Sequence, residues 1–84
     1  MARVVRVAPS PVDSGRMHPT NVTCEWRAFD DGERVLQLDS RGSSDREIPH
    51  KLSQTLQFTR EAASELIVVI ETAFPGLAGA RKER

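Results

Sequence analysis

The chain has 84 residues and no formal net charge, because twelve Lys and Arg balance twelve Asp and Glu; this length predicts one domain, and the balance argues against nucleic-acid binding by bulk electrostatics alone. The only cysteine, Cys24, excludes an internal disulfide and a zinc site built from several cysteines, and it favours a reducing cytoplasm. No apolar run approaches the roughly 20 residues that cross a bilayer, so we expect no membrane partner.

The N-terminal part, residues 1–20, is expected to be a flexible segment with one short strand. The strand is predicted within residues 2–8, ARVVRVA, and prolines follow it directly. Proline, glycine and serine are frequent from there to Pro19, which is typical of a loop. Met17 is an alternative start of the chain.

Residues 21–40 predict a β-hairpin, because apolar and polar residues alternate with the period of two that a half-buried strand needs. The hydrophobic pattern favours a three-residue loop, Asp30-Asp31-Gly32, with Gly32 in the left-handed conformation. This loop would pair Phe29 with Glu33, Trp26 with Leu36, and Cys24 with Leu38. The side chains expected in the core are Cys24, Trp26, Leu36 and Leu38.

A polar connection over residues 41–51 is followed by a predicted strand at 52–58 and a helix from Arg60 to about Phe74. Thr59 is a suitable N-cap, and Pro75-Gly76 ends the helix. The apolar positions cover about half of the helix circumference, more than one small sheet requires. Either the helix is deeply seated or part of it contacts a second protomer. The predicted fold is α+β, an antiparallel sheet of three to four strands with a C-terminal helix on one face, over residues 21–76, and residues 77–84 form a basic tail.

No catalytic motif is present. His18, His50 and Cys24 do not match the spacing of a metal site, and the chain has no glycine-rich phosphate loop or nucleophile elbow. We therefore expect neither an enzyme nor a bound cofactor or metal.

The sheet face opposite the helix is the predicted functional surface. A sheet that exposes arginine, an aromatic ring and amides can bind single-stranded nucleic acid, since the ring stacks on bases and arginine contacts phosphate. The candidate residues on this face and in the adjoining loop are Arg27, Phe29, Gln37, Arg41, Arg46, Lys51 and Gln57. The alternatives are an ordinary solvated sheet face and a small homodimeric interaction or regulatory protein that does not bind nucleic acid.

The order of elements resembles a known family. Residues 27–41, RAFDDGERVLQLDSR, then a charged loop ending in PHK at 49–51, then SQTLQFT at 53–59 leading into a helix, are similar to the C-terminal domain of positive cofactor four. The resemblance covers about residues 21–74. It implies a single-strand DNA-binding homodimer whose basic residues at Arg27, Arg41 and Lys51 meet the DNA backbone. It also implies a helical dimer interface around Leu66, Ile70 and Phe74, and we include Val69 among the expected interface residues. The chain departs from this family in being neutral, in lacking Tyr and in having only two Lys.

Overall fold

The computed structural model describes residues 1–41, 52–77 and 79. These residues form strands β1 (Ala2–Val4), β2 (Cys24–Asp30), β3 (Arg34–Arg41) and β4 (Leu52–Phe58), followed by helix α1 (Arg60–Ala73). The strands make one sheet in the order β1-β4-β3-β2. The α+β prediction is confirmed. No helix within the described ranges is long and apolar enough to cross a membrane.

The sheet is mixed, whereas an antiparallel sheet was expected. Strands β2, β3 and β4 pair antiparallel, but β1 runs parallel to β4, with Val4 beside Phe58. Parallel neighbours need a long connection, and here β2 and β3 lie between β1 and β4 in the chain. Sequence rules that pair consecutive strands therefore could not predict the pairing of β1 with β4. The segment after β1 also contacts α1, because the Val7 N–H donates to Glu65 Oε1 at 3.0 Å.

The predicted hairpin exists, but its predicted register is wrong by two residues. Trp26 pairs with Leu38 and Cys24 with Ser40, while Asp30 pairs with Arg34. The three-residue loop is therefore 31–33, and Arg34 Nη1 lies 3.1 Å from Asp30 Oδ2 across its base. A shift of two keeps every side chain on its face, so the hydrophobic pattern could not distinguish the two registers. The left-handed conformation of Gly32 is confirmed, with φ of 79°.

Helix α1 has the predicted ends. The Thr59 side chain accepts a hydrogen bond from the Ala62 N–H at 3.2 Å, which satisfies one of the free donors of the first turn. Phe74 is the C-cap, and Gly76 follows with φ of 84°. These ends were predictable because capping and termination are local properties of the chain.

The core formed by the described residues is smaller than expected. Phe58 and Ala62 are the buried apolar residues of this part of the chain, at the point where the first turn of α1 meets the sheet. Trp26 is 71% exposed, Cys24 is also exposed, and Leu36 and Leu38 are half-buried. The assignment of Cys24 and Trp26 to the core of one chain is therefore wrong, because α1 does not cover this end of the sheet.

Candidate nucleic-acid interface

One face of the sheet is built almost entirely from polar side chains. Its members sit opposite one another across the strands, as in the rows Arg27, Gln37, Gln57 and Glu25, Asp39, Thr55. The odd-numbered residues of β2, β3 and β4 form this surface, which we call the polar face. The other face carries Trp26, Leu36, Leu38, Leu56 and Phe58.

A hydrogen-bonded network occupies the middle of the polar face. Gln57 Nε2 donates to Gln37 Oε1 at 2.9 Å, and Gln37 Nε2 donates to both oxygens of Asp39 at 3.1 and 3.2 Å. Thr55 Oγ1 donates to Asp39 Oδ1 at 2.7 Å. Gln37, Asp39 and Thr55 are all buried. The network holds β3 and β4 in register, because each side chain can meet its partners in only one alignment.

The environment of Asp39 favours its ionised form. The hydrogen bond from Thr55 lowers the pKa of Asp39, and desolvation opposes this effect. The hydrogen bond from Gln37 and the positive charges of Arg27 and Arg41 lower the pKa further. Asp39 is therefore an acceptor that is already satisfied within the sheet, and it presents little bare carboxylate to an incoming phosphate.

The burial of Gln37 corrects its predicted role. We expected an exposed amide for base contacts, but Gln37 is 4% exposed and its amide is engaged on both sides. Gln37 lies on β3 between Arg27 of β2 and Gln57 of β4, and its amide is hydrogen-bonded, as buried polar groups generally are. Gln57 is half-buried and shares the network. The pairing of Asp39 with Thr55 across β3 and β4 was not predicted as a contact, because that register was unknown.

Arg27 and Phe29 lie in the accessible part of the polar face, which also contains the exposed Glu25. The Arg27 guanidinium carbon lies 6.0 Å from the centroid of the Phe29 ring, the outer limit of a cation–π contact. Arg27 is exposed, and Phe29 is half-buried. Among the described residues, no carboxylate lies within ion-pair distance of Arg27. The guanidinium is thus positioned over an aromatic ring and keeps its donors available.

Arg41 differs from Arg27. Its Nη2 lies 2.8 Å from Glu25 Oε1, so a phosphate would have to compete with this carboxylate. Arg46 and Lys51, the other two basic residues predicted for this surface, lie outside the described residues. The structure therefore places Arg27, Phe29, Arg41 and Gln57 on one face of the sheet. Gln37 lies on the same face but is buried within the hydrogen-bonded network.

The opposite side of the molecule leaves a large apolar area open. A cleft of about 400 Å³ separates Ala28, Leu36 and Phe58 on the sheet from Ala63 and Ile67 on α1. The large side chains of this sheet face and of α1 that remain 40–71% exposed, which we call the apolar surface, are Trp26, Leu56, Ile67, Val69, Ile70 and Phe74. Large exposed apolar areas are typical of interaction sites.

The remaining reactive groups of the described residues do not form a cluster. Cys24 is exposed, and its thiol lies 3.9 Å from the Glu25 carbonyl oxygen. His18 Nδ1 accepts from the Thr20 N–H at 3.1 Å. Within residues 1–41 and 52–77, no three His, Cys, Asp or Glu side chains are close enough to hold a metal ion.

Comparisons of the chain with protein-family models, with curated proteins and with solved structures give no match. The functional interpretation therefore depends only on the chemistry of the polar face and of the apolar surface.

Proposed function

We propose that the chain is a non-enzymatic module that binds single-stranded nucleic acid on its polar face, with the loop at 41–51 alongside. The observation that carries the proposal is the exposed Arg27 guanidinium over the Phe29 ring, which has no carboxylate partner among the described residues. Bases stack on aromatic rings without strict sequence preference, and guanidinium groups donate to phosphate oxygens. This pair supplies both interactions within one strand.

The hydrogen-bonded network of the polar face supports the same proposal. Asp39 would repel phosphate if its carboxylate were open, but three hydrogen bonds from Thr55 and Gln37 engage its oxygens. The negative charge is also offset by the two arginines that lower its pKa. The polar face therefore tolerates a polyanion better than its formal charges indicate, and its preformed network adds little ordering cost on binding.

Arg27→Ala tests this proposal against a matched control, Arg34→Ala. Both variants lose one positive charge from the same hairpin, but Arg34 lies on the opposite face and pairs with Asp30. One phosphate contact changes the salt slope on single strands by about 0.7, so Arg27→Ala should weaken binding about tenfold at 50 mM salt. Fluorescence anisotropy with a labelled single-stranded oligonucleotide measures this. An equal loss of oligonucleotide affinity in the two variants would show that binding depends only on total charge, and it would contradict a site at Arg27.

We also propose that the chain is a homodimer that buries its apolar surface. At roughly 200 Å² per side chain, the size of an aromatic residue, the exposed fractions of the six residues offer at most about 650 Å², against about 800 Å² per partner in a standard interface. The four residues expected from the sequence behave as this requires: Val69, Ile70 and Phe74 are exposed and Leu66 is half-buried.

The apolar surface also favours a second candidate function, a homodimeric interaction or regulatory protein that never binds nucleic acid. Light scattering at micromolar concentration tests the dimer, and the oligonucleotide titration distinguishes the two functions. A dimer that binds no oligonucleotide at low salt would support the second candidate. A monomer would contradict the dimer in both.

A further inference from the structure

Strand β2 is an outer strand of the sheet, and one side of its backbone has no described hydrogen-bond partner. The Thr23 carbonyl accepts from the Arg41 N–H at 3.1 Å, so the odd-numbered residues direct their backbone groups toward β3. Because backbone direction alternates along a strand, Cys24, Trp26 and Ala28 direct theirs away from the sheet. No backbone hydrogen bond within the described part of the chain reaches these groups.

Several features that normally protect an edge strand are missing from β2. Protein edges are blunted by charged side chains, especially lysine, by proline, by bulges or by shortness, and of these β2 has the charges of Glu25, Arg27 and Asp30. Strand β2 has seven residues, CEWRAFD, without proline or lysine, and it pairs with β3 without a bulge. All of its residues except Phe29 are exposed. The strand is therefore a regular and accessible template for one more antiparallel strand.

The charges next to Trp26 identify a second copy of β2 as the strand that fits. An antiparallel pair centred on Trp26 places Glu25 of each copy opposite Arg27 of the other, so opposite charges face each other twice across the junction. Glu25 also pairs with Arg41 of its own chain at 2.8 Å. Moving the centre by one residue places Arg27 opposite Arg27, or Glu25 opposite Glu25, and like charges directly opposite destabilise a sheet. The arrangement centred on Trp26 places opposite charges across the junction. It also pairs the outward-directed backbone groups of Cys24, Trp26 and Ala28 with those of the second copy.

We propose that two chains pair through β2 about a dyad at Trp26 and form one continuous eight-stranded sheet. This inference rests on the proposed homodimer and gives its register. The dyad is perpendicular to the sheet, so both α1 helices lie on the same side and the two exposed Trp26 rings meet there. On the other side the two polar faces join. In this dimer Arg27 shares its five N–H donors between Glu25 of the second copy and a phosphate, as Arg41 would within one chain.

Ala28→Cys tests this register, because Cys24 is the only native cysteine. In the proposed pair, position 28 lies opposite Cys24 of the second copy, about 5.5 Å away between Cα atoms, within the range of a disulfide. Within one chain the two positions are about 13 Å apart and cannot be bridged. Mild oxidation followed by a non-reducing gel should therefore show a nearly complete covalent dimer.

The matched controls are the unmodified chain and the double variant Cys24→Ser/Ala28→Cys. Each has one cysteine per chain, at positions that are not opposite one another in the proposed register, so neither should form the covalent dimer. If Ala28→Cys stays uncrosslinked while light scattering still shows a dimer, the β2 register is wrong and the homodimer stands. If the unmodified chain is a monomer, the homodimer itself is contradicted. Equal crosslinking of the double variant would also overturn the register.

Discussion

Phe74→Ala should weaken the homodimer strongly and leave the fold of the single chain almost unchanged. The Phe74 side chain is 63% exposed at the end of α1, so it adds little to the stability of one chain. Its backbone N–H donates to the Ile70 carbonyl at 2.9 Å, and alanine keeps this capping hydrogen bond. The substitution therefore separates the interface from the fold.

The expected loss of dimer stability follows from the exposed area of the Phe74 ring. With roughly 150–250 Å² for an aromatic side chain and the observed exposure, about 125 Å² is available for burial. At about 25 cal/mol per Å² this is about 3 kcal/mol, of which about 2 kcal/mol is lost because alanine retains Cβ. Two copies lose about 4 kcal/mol, which raises the dimer dissociation constant about a thousandfold.

Light scattering across a dilution series measures the dissociation constant, and thermal unfolding at low concentration measures the single chain. Val68→Ala is the control, because Val68 is 64% exposed, lies about 120° around α1 from Phe74 and is not part of the apolar surface, so this substitution should leave the dissociation constant unchanged. An unchanged constant for Phe74→Ala, or equal weakening by Val68→Ala, would refute the assignment of this helix side to the interface.

Two further outcomes concern stability. Asp39 has a lowered pKa in the fold, so its ionised form stabilises the protein above its unfolded pKa of about 3.9, and this contribution is lost as the pH falls through the folded pKa. In urea unfolding, the advantage of the native chain over Asp39→Asn should therefore shrink from pH 7 to pH 3, and a constant difference would contradict the network. Thr59→Ala should cost about 1 kcal/mol of unfolding free energy and Thr59→Ser much less, because serine restores the N-cap acceptor; equal losses would exclude capping as the cause.

Local features of the fold were predictable from the sequence. Thr59 and Pro75-Gly76 define α1 through capping and chain termination, and alternation assigned Trp26 and Arg27 to opposite faces of β2. Both properties depend on neighbours in the chain, so no knowledge of the tertiary structure is needed to find them.

The errors all involve contacts that the local sequence pattern does not determine. The predicted hairpin register was wrong by two residues. Because side chains alternate with a period of two, both alignments place every side chain on the same face of the sheet. The exposure of Trp26 depends on where α1 leaves the sheet, and the burial of Gln37 depends on the side chains of the neighbouring strands. The parallel pairing of β1 with β4 joins segments more than 50 residues apart.

The salt dependence of single-stranded oligonucleotide binding tests the proposed function most directly. Contacts from Arg27 and two other basic groups to about three phosphates predict a log–log slope of about −2 on single strands, reduced by about 0.7 in Arg27→Ala. Binding with that slope, and its reduction in the variant, is the result we expect. No binding at low salt, or a slope that Arg27→Ala leaves unchanged, would contradict nucleic-acid binding by the polar face.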